Sequence, residues 1–377
     1  KTGGYNASEF VDASLSLVDL KDLGFTLDEV KSADFTIEEV MNANYELDDV
    51  LDTYNTSITD MRSGGYHMVM LMSSGKIFGI GYNTFGQLGI GHFTNTFSLV
   101  EMTNNTGKTP SKINCGYYHT VILMTDGSVY CCGRNNYKQL GDGTTTNSSA
   151  LIEFVNNTGK TVIDIECGYY NTFCLMSDGT IYGLGYNSYG PLGIGNGTTQ
   201  SSLTLLINNT GKTPVKISAN QQHTMILMSD GSIYGTGNSD SGRLGNGSTG
   251  GTYDTIQLMT NNTGKTPTDV ITGYNWTIVI MSDGSMYGCG HNFYGQLGIG
   301  NTTDKSTIVQ MTNNTGKTPT QVACGEYHTI VLMSDGSIYG TGINTNGQLG
   351  DGSTTNKNTL TQLTPNPGKP PNKIACG

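Results

Sequence analysis

From Gly64 onward the chain repeats itself. A block of Cys-Gly-Tyr-Tyr-His-Thr, an apolar run, Met-Ser-Asp-Gly-Ser, Ile-Tyr-Gly-x-Gly-x-Asn, Gly-Gln-Leu-Gly and Asn-Asn-Thr-Gly-Lys-Thr-Pro keeps returning. Its reference position falls at Gly64, Gly116, Gly168, Asn220, Gly273, Gly325 and Gly377, at spacings of 52, 52, 52, 53, 52 and 52 residues. So fixed a period means an array of one supersecondary unit. In the second block, Lys112–Cys115 and His119–Met124 read as two strands, and Asp126-Gly127 as a two-residue hairpin turn in which glycine takes the positive φ. Ser128–Gly133 and the region of Leu151–Val155 read as two more strands, and Asn157-Thr158-Gly159 turns the chain into the next block. A four-stranded sheet per ~50 residues is a propeller blade. Composition agrees: 53 of 377 residues are Gly and 13% are charged, against about 7% and about 25% in average usage. That excludes a helical bundle and a charge-driven disordered chain. No apolar run approaches the ~18 residues of a membrane-spanning helix.

His119, Asp126-Gly127 and the Gly86-Gln87-Leu88-Gly89 motif resemble the RCC1-like repeat of the regulator of chromosome condensation, and the resemblance runs from Gly64 to Gly377. Departures are local: Asn171 and Trp276 stand in the His position, and Lys138, Pro191 and Arg243 interrupt Gly-Gln-Leu-Gly. The fold expected is an all-β RCC1-like propeller over 58–377 with a small N-terminal α-helical repeat domain over 1–57. Six blades are favoured. Lys373–Cys376 matches the innermost strand and Thr59–Ser63 matches it poorly, so the C-terminal strand is expected to join His67–Met72 and Lys76–Ile80 and close the ring. A seven-bladed ring with a truncated last repeat is the alternative.

The first 60 residues repeat every ten, through Tyr5/Ala7/Phe10, Leu15/Leu17/Leu20, Phe25/Leu27/Val30, Phe35/Ile37/Val40 and Tyr45/Leu47/Val50. Thr26–Glu29 and Thr36–Glu39 are capping boxes, each opening a short helix. Single turns do not stand alone, so the units are expected to stack as an independent solenoid packed through Phe25, Phe35 and Tyr45. This head carries 14 acidic residues against Lys1, Lys21 and Lys31, while residues 61–377 carry 16 of each sign. A neutral body argues against coating phosphates by bulk charge, leaving direct nucleic-acid contact open, and the head suits a basic protein partner. The decapeptides resemble repeats in proteins of giant amoeba-infecting viruses.

Chemistry-bearing residues follow the repeat rather than converging. His67, His119, His223 and His328 share one position, which the resemblance makes structural. Asp126, Asp178, Asp230, Asp283 and Asp335 share the hairpin turn. No Ser/His/Asp or paired-carboxylate set stands apart, so catalytic, cofactor and metal sites are expected to be none, and no enzyme is expected. Thr106-Gly-Lys-Thr109 imitates the end of a phosphate-binding loop, but Met102 stands where its first glycine belongs. The eight cysteines (Cys115, Cys131, Cys132, Cys167, Cys174, Cys289, Cys324 and Cys376) read as buried thiols of a reducing compartment. Sequons such as Asn104-Asn-Thr106 recur with the repeat and read as coincidence.

Strand order sorts the loops onto two faces. One carries Lys108, Lys160, Lys212, Lys265, Lys317 and Lys369 among the turn aspartates, a candidate interaction ring. The other gathers Tyr117, Tyr118, Tyr169, Tyr170, Tyr274 and Tyr327, a candidate aromatic face. The expected function is a self-associating structural block of a giant-virus virion, in a layer, fibre or genome-packaging sheath, located in the virion or at its cytoplasmic assembly site. Alternatives are an exchange-factor or signalling adaptor and a glycan- or nucleic-acid-binding propeller. The basic tail and protruding insertion that the resemblance associates with chromatin-docking exchange factors are not visible, and the clustered Trp of an ultraviolet-sensing relative is reduced to Trp276. The sequence does not open on Met, which leaves a leader segment, and so secretion, open.

Overall fold

The computed structural model describes residues 17–22, 25–33, 35–43, 45, 47–364, 371 and 373–377. Each repeat becomes a four-stranded antiparallel sheet in simple sequence order, and six such blades form a β-propeller. Blade 1 is β1 (Ile58–Ser63), β2 (His67–Met72), β3 (Ile77–Gly81) and β4 (Thr96–Glu101). Blade 2 is β5 (Pro110–Cys115), β6 (His119–Met124), β7 (Val129–Gly133) and β8 (Ser148–Glu153). The same order gives blade 3 (β9–β12, 162–205), blade 4 (β13–β16, 214–258), blade 5 (β17–β20, 267–310) and blade 6 (β21–β24, 319–362).

Second strands in the middle of the array are apolar on both sides because each such blade is covered by its two neighbours. All six residues of β6 are buried. Val69, Leu71 and Ile77 of blade 1 share one core with Ile113, Ile122 and Met124 of blade 2. The hairpin between second and third strands departs from expectation. It is a three-residue loop, Thr125-Asp126-Gly127, closed by Gly127 N–H on the Met124 carbonyl and Met124 N–H on the Ser128 carbonyl. Only Gly127 (φ 82°) needs the left-handed region, as in a type I turn followed by a glycine bulge.

Ring closure also departs from expectation. The innermost strand of blade 1 is its own β1, with Met61 opposite Met70 and Ser63 opposite Met68. Met61 keeps the apolar position of Ile113, and Thr59 donates to the Leu71 carbonyl as Ser111 does to Leu123. Asp60 and Arg62 spoil the match to the repeat because Arg62 lines the central channel, where polar residues are tolerated, and Asp60 pairs with it at 3.3 Å. The C-terminal stretch instead takes a seventh innermost place, between blades 6 and 1. The Gln321 side chain accepts the Ile374 N–H at 3.0 Å and donates to its carbonyl at 3.1 Å, while Lys373 reaches the Thr59 carbonyl. A Cβ on Gly377 would come 2.4 Å from the Gly64 carbonyl, as one on Gly64 would from Gly116 (2.4 Å) and one on Gly116 from Gly168 (2.6 Å).

The head forms α1 (Leu17–Asp22), α2 (Leu27–Lys31), α3 (Ile37–Asn42) and α4 (Leu47–Thr53). Both capping boxes are present, at Thr26/Glu29 and Thr36/Glu39. Leu20, Val30, Val40 and Val50, ten residues apart, are wholly buried. Phe25 is buried, whereas Phe35 and Tyr45 are only half-buried; the Tyr5/Ala7/Phe10 unit lies outside the described residues. The stack is not independent of the propeller. It shares a core with Met70, Met72 and Phe78 of blade 1, and Asn42 and Glu38 bond the backbone of Leu99 and Glu101. The equivalents of those three in blade 2 (Ile122, Met124, Tyr130) face blade 1, so the helices cover a blade face that has no blade beside it.

Candidate interaction faces and central channel

The repeat-position histidines stitch blade to blade. Thr120 donates to the Gln87 carbonyl at 2.7 Å, so its oxygen accepts from His67 Nε2–H at 3.1 Å. The same bridge joins His119 to Thr172 and His223 to Thr277, each at 3.1 Å. Burial pushes the imidazoles down, His67 to about 4 and His119 to about 3, with the His67 charge adding to the latter. Neutral rings locked in this way hold the blades together. Where Asn171 and Pro191 replace His and Gln, the buried Thr224 hydroxyl has no partner.

The lysine ring is consumed locally. Lys108 binds Asp126 at 3.1 Å and lies 5.4 Å from the Tyr130 ring. Lys160, Lys212, Lys265 and Lys317 repeat this with Asp178, Asp230, Asp283 and Asp335 at 2.7–2.8 Å; Lys369 lies outside the described residues. Hydrogen bonds from Ser128, joined by Lys108, hold Asp126 down at about 2. Between these lysines and the preceding strand, Asn104 accepts from Thr106 and donates to the Lys108 carbonyl. The Asn-x-Thr triplet is therefore a turn device, and Thr-Gly-Lys-Thr leads into a strand rather than a helix.

The opposite face brings the predicted tyrosines together. Tyr117 meets Tyr118 (4.6 Å) and Tyr169 (4.4 Å), Tyr169 meets Tyr274 (5.4 Å), and Tyr274 meets Tyr327 (5.9 Å). Burial raises Tyr169 strongly, with Glu326 adding to it. Several members were not singled out from sequence. Arg134 lies 5.1–5.9 Å from the rings of Phe85, Tyr118, Tyr137 and Tyr170. Tyr66, 58% exposed, touches Tyr117 and Tyr118, and Phe293, 67% exposed, extends the rim.

Sequence reasoning also missed the central channel, a cavity of about 450 Å3. One column of the repeat alternates in sign, Asp60, Lys112, Asp164, Lys216, Asp269, then Gln321 and Lys373, and its members from Lys112 to Gln321 line the cavity. Lys112 pairs with Asp164 at 2.9 Å and Lys216 with Asp269. Asp60, Asp164 and Asp269 each accept the next residue's backbone N–H, blunting the inner strand edges. Deeper in, burial raises Glu166 against the pull of Arg62, and Asn114 donates to it at 2.8 Å. Among the described residues no cluster of His, Cys, Asp and Glu is arranged to hold a metal.

A disc of Gly-rich four-stranded blades stitched by His, Thr and Gln defines a repeat-propeller class, and comparison assigns the family. The RCC1-like domain model matches residues 145–377, and regulator of chromosome condensation (RCC1) repeat models match 58–87, 74–123 and 111–139. The chain belongs to the RCC1-like domain family. The ultraviolet-B receptor UVR8 of Arabidopsis thaliana is 29% identical over 304 residues, covering 80% of this chain and 68% of the receptor. The human E3 ubiquitin-protein ligase HERC2 is 27% identical over 318 residues, covering 83% of this chain but 7% of the ligase. Among solved structures, human WBSCR16 superposes with a TM-score of 0.76 at 20% identity, covering 85% of this chain and 84% of the other. Prp20p of Saccharomyces cerevisiae gives 0.74 at 16% identity, covering 85% and 80%.

Proposed function

We propose that this chain is a non-catalytic, protein-binding propeller of the regulator or exchange-factor type, whose partner seats on the tyrosine face. One observation carries the reading: the lysine face is spent on its own aspartates, whereas the opposite face presents contiguous rings around Arg134. Aromatic residues and Arg are the side chains enriched where proteins bind proteins. Relatives point the same way, since Prp20p has been studied for its binding to Gsp1p and histones and yeast RCC1 (Prp20) has been solved bound to Kap60. The virion-layer reading receives no support from these relatives.

The test is a panel of small GTPases loaded with fluorescent nucleotide, followed for binding and nucleotide release. Binding that is lost in Arg134→Ala and kept in Lys108→Ala supports the proposal; binding lost equally in both overturns the choice of face. Sedimentation of the same variants identifies a second copy as the partner if Tyr66→Ala turns an oligomer into a monomer.

A further inference from the structure

We propose that the partner of the tyrosine face sets a carboxylate, an Asp or Glu side chain on an extended segment, end-on against the Arg134 guanidinium. The proposal rests on the reading that a protein seats on this face. The chain has three arginines. Arg62 pairs with Asp60 at 3.3 Å, and Arg243 donates from Nε to the Asp240 carbonyl at 2.9 Å and from Nη1 to the Gln222 side chain at 3.0 Å. Arg134 is held by rings instead: Phe85 from blade 1, Tyr118 and Tyr137 from blade 2, and Tyr170 from blade 3. The neutral Tyr170 hydroxyl lies near it, and among the described residues no carboxylate pairs with it.

The repeat register shows what a donor at this place is matched to. Arg134 takes the position of Asn238 in blade 4, Tyr118 that of Gln222, and Asn136 that of Asp240. In blade 4 the Asn238 amide donates to Asp240 Oδ2 at 2.9 Å and to Gln222 Oε1 at 3.1 Å. Blade 2 puts a charged donor there and replaces both acceptors, one by an amide and one by a ring. The acid of its own loop, Asp142, is spent on Asn135 Nδ2 at 2.8 Å and on Thr144. Lys138, the second cation of that loop, is part-exposed. The carboxylate that blade 4 carries within its loop comes, in blade 2, from the partner.

Geometry narrows what fits. Arg134 Nε is shut off from water, which leaves the two Nη groups to meet a ligand. Their N–H bonds lie in one plane and match the two oxygens of a carboxylate. Rings 5.1–5.9 Å away hold the side chain, so little of its freedom remains to be lost on binding. A nucleic-acid backbone fits less well, because it brings a run of charges to a place where rings rather than further cations surround the arginine. An apolar neighbour of the acid would lie along Tyr66, which is 58% exposed beside Tyr118.

The probe is a displayed library of random linear peptides selected on the full chain, with the enriched peptides labelled with fluorescein and titrated by anisotropy. Enriched peptides are expected to share an Asp or Glu. Binding is expected to weaken about tenfold or more when that acid becomes its amide, when Arg134→Gln removes the cation, and when Asn136→Asp supplies a carboxylate from the chain's own loop. Asn136 is exposed, so this last variant reads the contact without disturbing the ring stack. No saturable binder, or binding unchanged in both Arg134→Gln and Asn136→Asp, would overturn the proposal. Peptides that lack an acid yet lose binding in Tyr66→Ala would remove the carboxylate and leave the tyrosine face as the docking face. Peptides indifferent to both Tyr66→Ala and Arg134→Gln would remove the face as well. A single-stranded oligonucleotide bound more tightly than any peptide, and lost in Arg134→Gln, would overturn the carboxylate in favour of a phosphate.

Discussion

On one face, a lysine in each of blades 2 to 6 reaches the turn aspartate of its own blade. On the other, rings of blades 1, 2 and 3 reach across blade boundaries to one another and to Arg134. Both faces come from the same repeat, so the contrast lies in what repetition does. Where each block contributes an identical Lys-Asp-Tyr set, the charges close locally and nothing is left over. Where blocks differ (Tyr82, Arg134, Tyr186, Asn238, His291 and Ile343 at one position) the surface acquires an address. Blade 1 confirms the local character of the first set. Thr56 stands where the lysine would be, and Ser74 and Phe78 replace the aspartate and the tyrosine together.

The harshest way to break the lysine face is at its turn. Gly127 sits at φ 82°, and a Cβ there would come 2.7 Å from Thr161 Cγ2 of the next blade. Gly127→Val combines backbone strain with a clash, and is expected to cost roughly 3 kcal/mol or more. Urea unfolding followed by circular dichroism checks it. A midpoint unchanged from the parent chain would contradict the turn geometry.

Acid separates the interblade stitches from both faces. The buried histidines have folded-state values below 6.5, His67 at about 4, so the unfolded chain binds protons first as pH falls. Stability from keeping them neutral is complete above about pH 6.5 and is lost as pH falls through the folded values, at up to about 1.4 kcal/mol per pH unit per histidine. Glu166, raised by burial, works in the opposite sense. Chemical denaturation between pH 7 and pH 4 is expected to show this slope, flattened in His67→Gln. A profile that stays flat down to the carboxylate range would place the histidines elsewhere.

How much of this was legible depends on whether a residue speaks through the repeat or through space. The blade, the hairpin glycine, the two loop faces and the shared histidine position could all be read from the 52-residue register, because each is satisfied within a block or between adjacent blocks. The channel was legible in principle: reading one column gives Lys112, Asp164, Lys216 and Asp269, alternating in sign. β1 was not, because Arg62 answers to that channel, and Asp60 to Arg62, rather than to the strand pattern. Nor was the docking of the helices on Met70, Met72 and Phe78, since a stripe of apolar residues does not name the surface it covers. The Arg134 cage depends on rings from three blades, which no single block contains.

The tyrosine face is tested by separating binding from stability. Arg134 is half-buried against four rings, and such a stack is worth about 1 kcal/mol when partly exposed. Arg134→Ala is therefore expected to shift the unfolding midpoint slightly and to weaken partner binding by about tenfold or more, as hot-spot truncations do. Arg134→Lys keeps the charge and loses the planar stack, so it should recover little of the binding. Full recovery by lysine would reduce the role of the rings to charge placement alone.

Lys108→Ala probes the opposite face and should do the least. The Lys108 ammonium sits 3.1 Å from Asp126 and 2.9 Å from Ser128 Oγ, at the solvent surface. Exposed pairs of this kind contribute little, because water screens them and ordering two side chains offsets the attraction. Asp126 keeps its bonds from the Ser128 N–H and hydroxyl without the lysine, so the turn should persist. Thermal unfolding is expected to be indistinguishable from that of the parent chain, and binding to any partner of the tyrosine face unchanged. Two outcomes would matter. A large loss of stability would mean that the Lys-Asp-Tyr set acts as a cooperative ring rather than as separate local closures. A loss of binding with stability intact would move the partner to this face, because repetition alone would then have sufficed to make an address.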